Sequence, residues 1–191
     1  MSTATETLPQ TNRTFVLDPK HSVVGFTIRH MMIATSRGQF SGISGFITLP
    51  LEGNVPLFVE AEIDAASIDT RDEQRDSHVK AADFLDVLAY PSMQFRSTII
   101  EGTESAFRIV GDLTIHGIAN EVVFDATFGG VVRDPWGNQR LGYEASAGIN
   151  RQNFGIGFNN ALESGALIVG NHVRIELSIE AIAVDGEGDV R

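Results

Sequence analysis

The side chains best equipped for chemistry are five histidines, His21, His30, His78, His116 and His172, and two short charged phrases near the first and third of them. Asp18-Pro19-Lys20-His21-Ser22 contains the residue types of a hydrolase triad. Triads are defined by convergence on one reacting atom, and neighbours along a single turn rarely converge. No G-x-S-x-G elbow, Walker loop or zincin helix accompanies the phrase. Asp18 and Ser22 are therefore read as shaping a turn into the strand that follows, and no catalytic residue is assigned. The histidines form no close pair at ligand spacing and have no cysteine to assist them, so no metal site is expected. His30 shares an alternating face with Ile28; it serves either as a hydrogen-bonded core histidine or as a polar contact for a bound head. Arg75-Asp76-Ser77-His78 opens a helix. Acids there favour the macrodipole, and the same groups can ring a cavity entrance.

Strands must position these groups. Phe107, Ile109, Leu113 and Ile115 alternate along one segment, and Val173, Ile175, Leu177, Ile179, Ala181 and Ala183 along another. A period of two means a sheet with one buried face. The pattern predicts strands near 14–18, 22–33, 36–49, 57–69, 92–101, 106–116, 121–132, 139–150 and 172–184. Turn residues separate them, as at Asp18-Pro19, Glu52-Gly53-Asn54 and Asp134-Pro135-Trp136-Gly137-Asn138. Almost no helix is available to cover the oily side, so the sheet must curl around it into a barrel. One helix is predicted near 71–88: Thr70 is placed as N-cap with Glu73 completing a capping box. Val79, Ala82 and Leu85 form its stripe, and Tyr90-Pro91 ends it. Residues 151–171 are rich in glycine and asparagine and read as a long loop at a barrel mouth.

Composition narrows the function. The net charge is −11, and Lys20 and Lys80 are the only lysines. No basic stripe for nucleic acid is present, and an acidic surface disfavours docking on anionic lipid. Apolar runs are too short to span a bilayer as a helix, so no stable membrane insertion is expected. Cysteine is absent, which removes disulfide and thiolate chemistry. The first residues lack a basic and an apolar secretory region, and a cytoplasmic location is expected. Residues 1–12 are expected as a disordered arm, 13–184 as one domain and 185–191 as a flexible acidic tail. Of the twelve phenylalanines nine fall in these strands, while Ala61, Ala145 and Ala147 share faces with larger residues. Such a mixture interdigitates into a solid core or leaves a tube, and an eight-stranded barrel is wide enough for a small ligand.

Several phrases resemble YceI-like proteins, a family described as polyisoprenoid-binding barrels. They are Asp18-x-x-His21-Ser22-x-Val24-x-Phe26, Arg37-Gly38-x-Phe40-x-Gly42, and Arg75-Asp76-x-His78-Val79-x-x-Ala82-Asp83-Phe84-Leu85-Asp86 with Tyr90-Pro91. Gly111-Asp112-Leu113-Thr114-Ile115-x-Gly117, Asp134-Pro135-Trp136-Gly137 and Ile149-Asn150-Arg151-x-Asn153-Phe154-Gly155-Ile156 follow in the family's order. Val79 stands where the family usually shows leucine, and Asn153 where aspartate is common. The resemblance implies an all-β, antiparallel eight-stranded lipocalin-like barrel. A long amphiphilic isoprenoid, polyprenyl or quinone in type, would thread its core as ligand, with no other cofactor. It also implies a carrier or storage role rather than an enzyme, and a homodimer. The ligand-contacting residues on this reading are Phe26, Ile28, His30, Phe40, Phe46, Ile63, Met93, Phe95, Phe107, Leu113, Ile115, Phe124, Phe128, Tyr143, Phe154, Ile175 and Leu177. His21, Ser22, Arg75 and Asp76 are the candidates for a headgroup. Two other readings stay open: an enzyme acting on a lipid through His21, His30 or Asp76, and a solid-core stress-related interaction module.

Overall fold

A computed structural model describes residues 12–159 and 168–184. The expected arm, apart from Asn12, and the expected acidic tail lie outside the described residues. The strands are β1 (Asn12–Leu17), β2 (Val23–His30), β3 (Ala34–Phe40), β4 (Ile43–Pro50), β5 (Phe58–Asp64), β6 (Ile68–Asp69), β7 (Ser92–Thr103), β8 (Ala106–Ile115), β9 (Ile118–Arg133), β10 (Gln139–Asn150) and β11 (Val169–Ala183). Among the described residues there is a single α-helix, α1 (Glu73–Lys80), between β6 and β7. Every strand pairing is antiparallel, and the order β1-β4-β5-β7-β8-β9-β10-β11 returns to β1. The last step is made by Phe15 opposite Ala183 and Leu17 opposite Ala181. The result is the closed, eight-stranded antiparallel barrel that the alternation and the resemblance call for.

Three barrel positions are each shared by two strands. β2 continues along β11 where β1 leaves it, with Val23 opposite Ser178 and Ile28 opposite Val173. β3 and β4 are two halves of one expected strand, and so are β5 and β6. The first break falls at Ser41-Gly42: a Cβ on Gly42 would lie 2.7 Å from that of Asp64. Its N–H donates to Ser67 Oγ at 2.9 Å, and Asp64 N–H donates to its carbonyl at 2.9 Å. The second break is a 3-10 turn at Ala65–Ser67, capped by the Asp64 side chain. Each break bends the wall. β2 also stops at His30 rather than 33, because Met31 (φ 49°) and Met32 (φ 61°) turn left-handed to start β3.

The helix is shorter than the sequence suggests. Asp72, not Thr70, is the N-cap, its carboxylate accepting from Arg75 N–H at 2.8 Å. Thr70 instead donates through its backbone N–H and its hydroxyl to Asp76 Oδ1. The helix ends at Lys80, and linked turns carry the chain to Tyr90, with Leu85 N–H donating to Val79 O at 3.0 Å. Val79 and Leu85 still face the barrel, but Leu85 does so from a turn. β6 meets β3 through only Gln39 opposite Asp69 and Phe40 opposite Ile68, and it has no bond to β7. That gap opens the barrel at one end, and α1 with residues 81–91 fills it. The expected loop at 151–171 begins as a 3-10 turn, Arg151–Phe154, ended by Gly155 at φ 75°. Residues 160–167 of that loop lie outside the described residues.

Buried residues fall into two groups. Phe15, Leu17, Ile47, Leu49, Phe107, Leu141, Tyr143 and Ala181 fill the closed end. Ile68, Leu85, Met93, Leu113, Phe124, Ile149 and Phe154 line the open half. The corner between β1 and β2 is fixed by charge. The Arg140 guanidinium donates to Asp18 at 2.8 Å, to Asp134 at 2.8 Å and to Glu180. His21 Nδ1 lies 2.8 Å from Asp18, and Ser22 Oγ bonds the backbone of Glu180 in both directions. The triad-like phrase is thus a structural corner. Asp18, His21 and Glu180 stand close enough to share a cation, yet Arg140 already supplies the positive charge to both carboxylates.

Two outcomes test this account. Phe15 is fully buried, and Phe15→Ala should cost about 3–5 kcal/mol in denaturant unfolding. Burial opposes ionisation of Asp18, but bonds from His21, Arg140 and Lys20 N–H outweigh it and hold the pKa at about 2. That lies below the unfolded value of about 3.9. The corner's contribution is therefore complete above the unfolded pKa and lost as pH falls through the folded one. The urea midpoint should drop between about pH 4 and pH 2, and Asp18→Asn should flatten that drop.

Candidate functional site

Inward side chains do not fill the barrel. A cavity of about 500 Å³ runs from the open end toward Tyr143, Leu17 and Ile47 at its floor. Strand pairing explains the wall: Val24, Phe26 and Ile28 stand opposite Leu177, Ile175 and Val173, and Tyr143, Ala145, Ala147 and Ile149 opposite Ile179, Leu177, Ile175 and Val173. The alanines leave space between the larger neighbours. Phe95 meets Phe124 edge to face with centroids 5.2 Å apart, and Phe26 lies 5.7 Å from Phe40. Gly38 makes room for Phe26, since a Cβ there would fall 2.5 Å from the ring.

Of the expected contacts, Phe26, Ile28, His30, Phe40, Ile63, Met93, Phe95, Leu113, Ile115, Phe124, Tyr143, Phe154, Ile175 and Leu177 line this cavity, and so does Arg75. Phe46, Phe107 and Phe128 do not. Phe46 packs outside against Phe58, centroids 5.8 Å apart, beside Arg96. Its misplacement follows from the break at Gly42. Phe40 points inward in β3, but across the corner the buried positions become Ile43, Ile47 and Leu49, so even numbers turn outward in β4. Phe107 and Phe128 pack around Tyr143 in the floor, at 6.1 and 5.5 Å. His21 and Ser22 belong to the charged corner, and Asp76 is occupied by Thr70. The structure brings none of these three to the cavity wall.

Polar groups collect at the open end. Arg75 Nε donates to Thr70 Oγ1 at 2.8 Å and its Nη2 to the Thr70 carbonyl at 2.7 Å. His30, His78 and Thr70 also reach the cavity. Arg151, missed from the sequence, is 4% exposed and lies on the wall. It donates to the carbonyls of Gly170, Ile156, Phe158 and Val169 and to Asn171 Oδ1. Burial pushes its pKa below the usual arginine value. A charged residue so placed contradicts the ordinary preference for exposure, so only its place in the Ile149-Asn150-Arg151 phrase signalled it. At the other end, Tyr143 donates its hydroxyl to Asn54 O at 2.8 Å. Burial raises its pKa, keeping the phenol neutral. Among the described residues no buried side-chain polar atom lacks a partner. The deep cavity therefore asks nothing of an occupant but apolar surface.

A closed antiparallel barrel around an apolar cavity, with one helix in its opening, is a lipocalin-like architecture. The family model for the YceI-like domain matches residues 15–181, and the chain belongs to that family. It is 38% identical over 167 residues to UPF0312 protein SA2479 of Staphylococcus aureus strain N315, covering 87% of this chain and 95% of that protein. Among solved structures it is similar to Burkholderia cenocepacia BcnA, with a TM-score of 0.73 and 22% identity over 86% of this chain and 98% of that one. It also resembles a polyisoprenoid binding domain from Saccharophagus degradans implicated in plant cell wall breakdown. That match has a TM-score of 0.64 and 13% identity, and covers 89% of this chain and 98% of the domain. At those identities the likeness carries the fold. Among the described residues no helix is long and apolar enough to cross a membrane.

Gly38 offers a direct check on the wall. Gly38→Val should drive the Phe26 ring toward the cavity. Uptake of an apolar fluorescent probe should fall while far-UV circular dichroism keeps its strand signature. Undiminished uptake would show that Phe26 does not border the occupied space.

Proposed function

We propose that this protein binds a long-chain amphiphilic isoprenoid, of polyprenyl or quinone type, inside the barrel and serves as its carrier or store. The observation that carries the reading is the cavity of about 500 Å³ with an apolar wall and a polar opening. Its size falls within the range of small-molecule sites, about 300–1,000 Å³. An apolar chain burying roughly 600 Å² would gain about 15 kcal/mol gross. Lost translational and conformational freedom offsets much of this. What remains depends on tail length and fit, which suits a family of related tails better than one rigid molecule. The likeness to the Saccharophagus domain, a polyisoprenoid binding domain, supports the same ligand class.

The test is native mass spectrometry with lipid extraction of the protein purified from cells grown normally, followed by addition of polyprenyl alcohols and quinones. Retained or acquired isoprenoid is expected; a ligand-free chain that takes up neither would defeat the proposal. Ala145 borders the cavity, so Ala145→Phe should occupy part of the space. A loss of at least about tenfold in affinity is expected, with a stability change within the few kcal/mol typical of core overpacking.

A further inference from the structure

The chain carries 25 aspartates and glutamates against 14 lysines and arginines. Yet among the described residues none of those acids lines the cavity, whereas Arg75, Arg151, His30 and His78 do, with Arg29 and Arg37 also reaching its edge. The sign of the opening is the reverse of the sign of the molecule.

These groups are connected. Arg75 and His78 lie three residues apart on α1, hence on one face of the helix. The His78 ring meets Phe158 edge-on with centroids 5.1 Å apart, and the Phe158 carbonyl accepts from Arg151 at 2.9 Å. Val169, whose carbonyl also accepts from Arg151, pairs with His30. Among the described residues every partner of Arg151 is a neutral oxygen. Its hydrogen bonds are satisfied, and among the described residues no carboxylate pairs with it. Among the described residues the carboxylates recorded beside these groups are Asp76, which accepts from Thr70, and Asp83, 3.5 Å from His78 Nε2, and neither lines the cavity. Arg75 uses Nε and Nη2 on Thr70 and leaves Nη1 without a partner among the described residues. Arg75 and His78 are exposed at the rim, whereas Arg151 is buried, and a buried positive charge is felt more strongly than one in water.

We infer that the occupant carries an anionic oxygen head, a phosphate or a carboxylate, held at this neck by Arg75, His30 and His78 in the field of Arg151. This rests on the isoprenoid-binding reading above and narrows it. A neutral alcohol or quinone head leaves the charge unanswered, while an oxyanion accepts charge-assisted bonds from the free donors.

The experiment is displacement of a cavity-bound solvatochromic dye by matched pairs, farnesyl monophosphate against farnesol and palmitate against hexadecanol. Each anion should displace the dye at about tenfold lower concentration than its alcohol, the size expected for one hydrogen bond to a charged group. That advantage should shrink toward unity in Arg75→Gln and in 1 M salt. Arg75→Lys should retain part of it, and the alcohols should be unaffected throughout. An unchanged thermal midpoint for both variants separates loss of recognition from loss of fold. Equal displacement by anion and alcohol, or an advantage indifferent to Arg75→Gln, overturns the inference and leaves isoprenoid binding standing. Displacement by inorganic phosphate as effective as by farnesyl monophosphate would assign the neck to a free ion and also overturn it. If no tailed compound displaces the dye, the isoprenoid-binding reading falls as well.

Discussion

The barrel depends on a short strand that must satisfy two neighbours at once. β1 pairs with β4 from Asn12 to Val16 and with β11 from Phe15 to Leu17. Without that double pairing, β4 and β11 would be open edges and the sheet would not close. Closure places Phe15 and Leu17 against Leu141 and Ala181 in a packed floor. It also fixes where the chain must turn to become β2, at the corner that Arg140 holds through Asp18 and Glu180. A buried or half-buried cluster of this kind is worth little unless all its members are matched. Here one guanidinium faces Asp18, Asp134 and Glu180, while His21 adds a further donor to Asp18.

The same division explains why one end is solid and the other hollow. At the closed end the ring is continuous, and Phe107 and Phe128 crowd around Tyr143. Toward the other end β3 has, on the side away from β2, only the two-residue β6 beside it, and the gap to β7 must be closed by something other than a strand. Helix α1 buries none of its own residues, so it is held by its caps, its tie to Thr70 and the turns after it rather than by a deep apolar face. The cavity lies where strand pairing gives out and polar backbone and side chains take over. Apolar depth and charged opening are consequences of one topology.

Much of this was legible in the sequence. Strict alternation placed β10 at its observed limits, 139–150, and put Leu113, Phe124, Ile175 and Leu177 on the inside. Alternation failed where the chain bends. A single run from 36 to 49 carries no sign that its parity reverses at Gly42, so Phe46 was read inward when it packs outside with Phe58. The reason is tertiary: Gly42 is pinned by Asp64 and Ser67, residues that local pattern cannot connect to it. Capping logic likewise found a helix but chose Thr70, whose hydroxyl serves Asp76 while Asp72 caps. Phe107 and Phe128 were read on the correct side but at the wrong depth, because period two reports a face and says nothing about height. Arg151 stands within the Ile149-Asn150-Arg151 phrase, but a buried arginine becomes intelligible only when carbonyls as far along the chain as Val169 surround it.

The packed floor has a consequence for traffic. A passage open at both ends could admit a chain on one side and release it on the other. This one is blind: Tyr143, tied to Asn54, stands at the inner limit together with Leu17 and Ile47. Anything that enters tail first must leave head first through the same doorway. On the proposed carrier reading, loading and delivery exclude each other, and a recipient meets the polar end of the isoprenoid before its oily one.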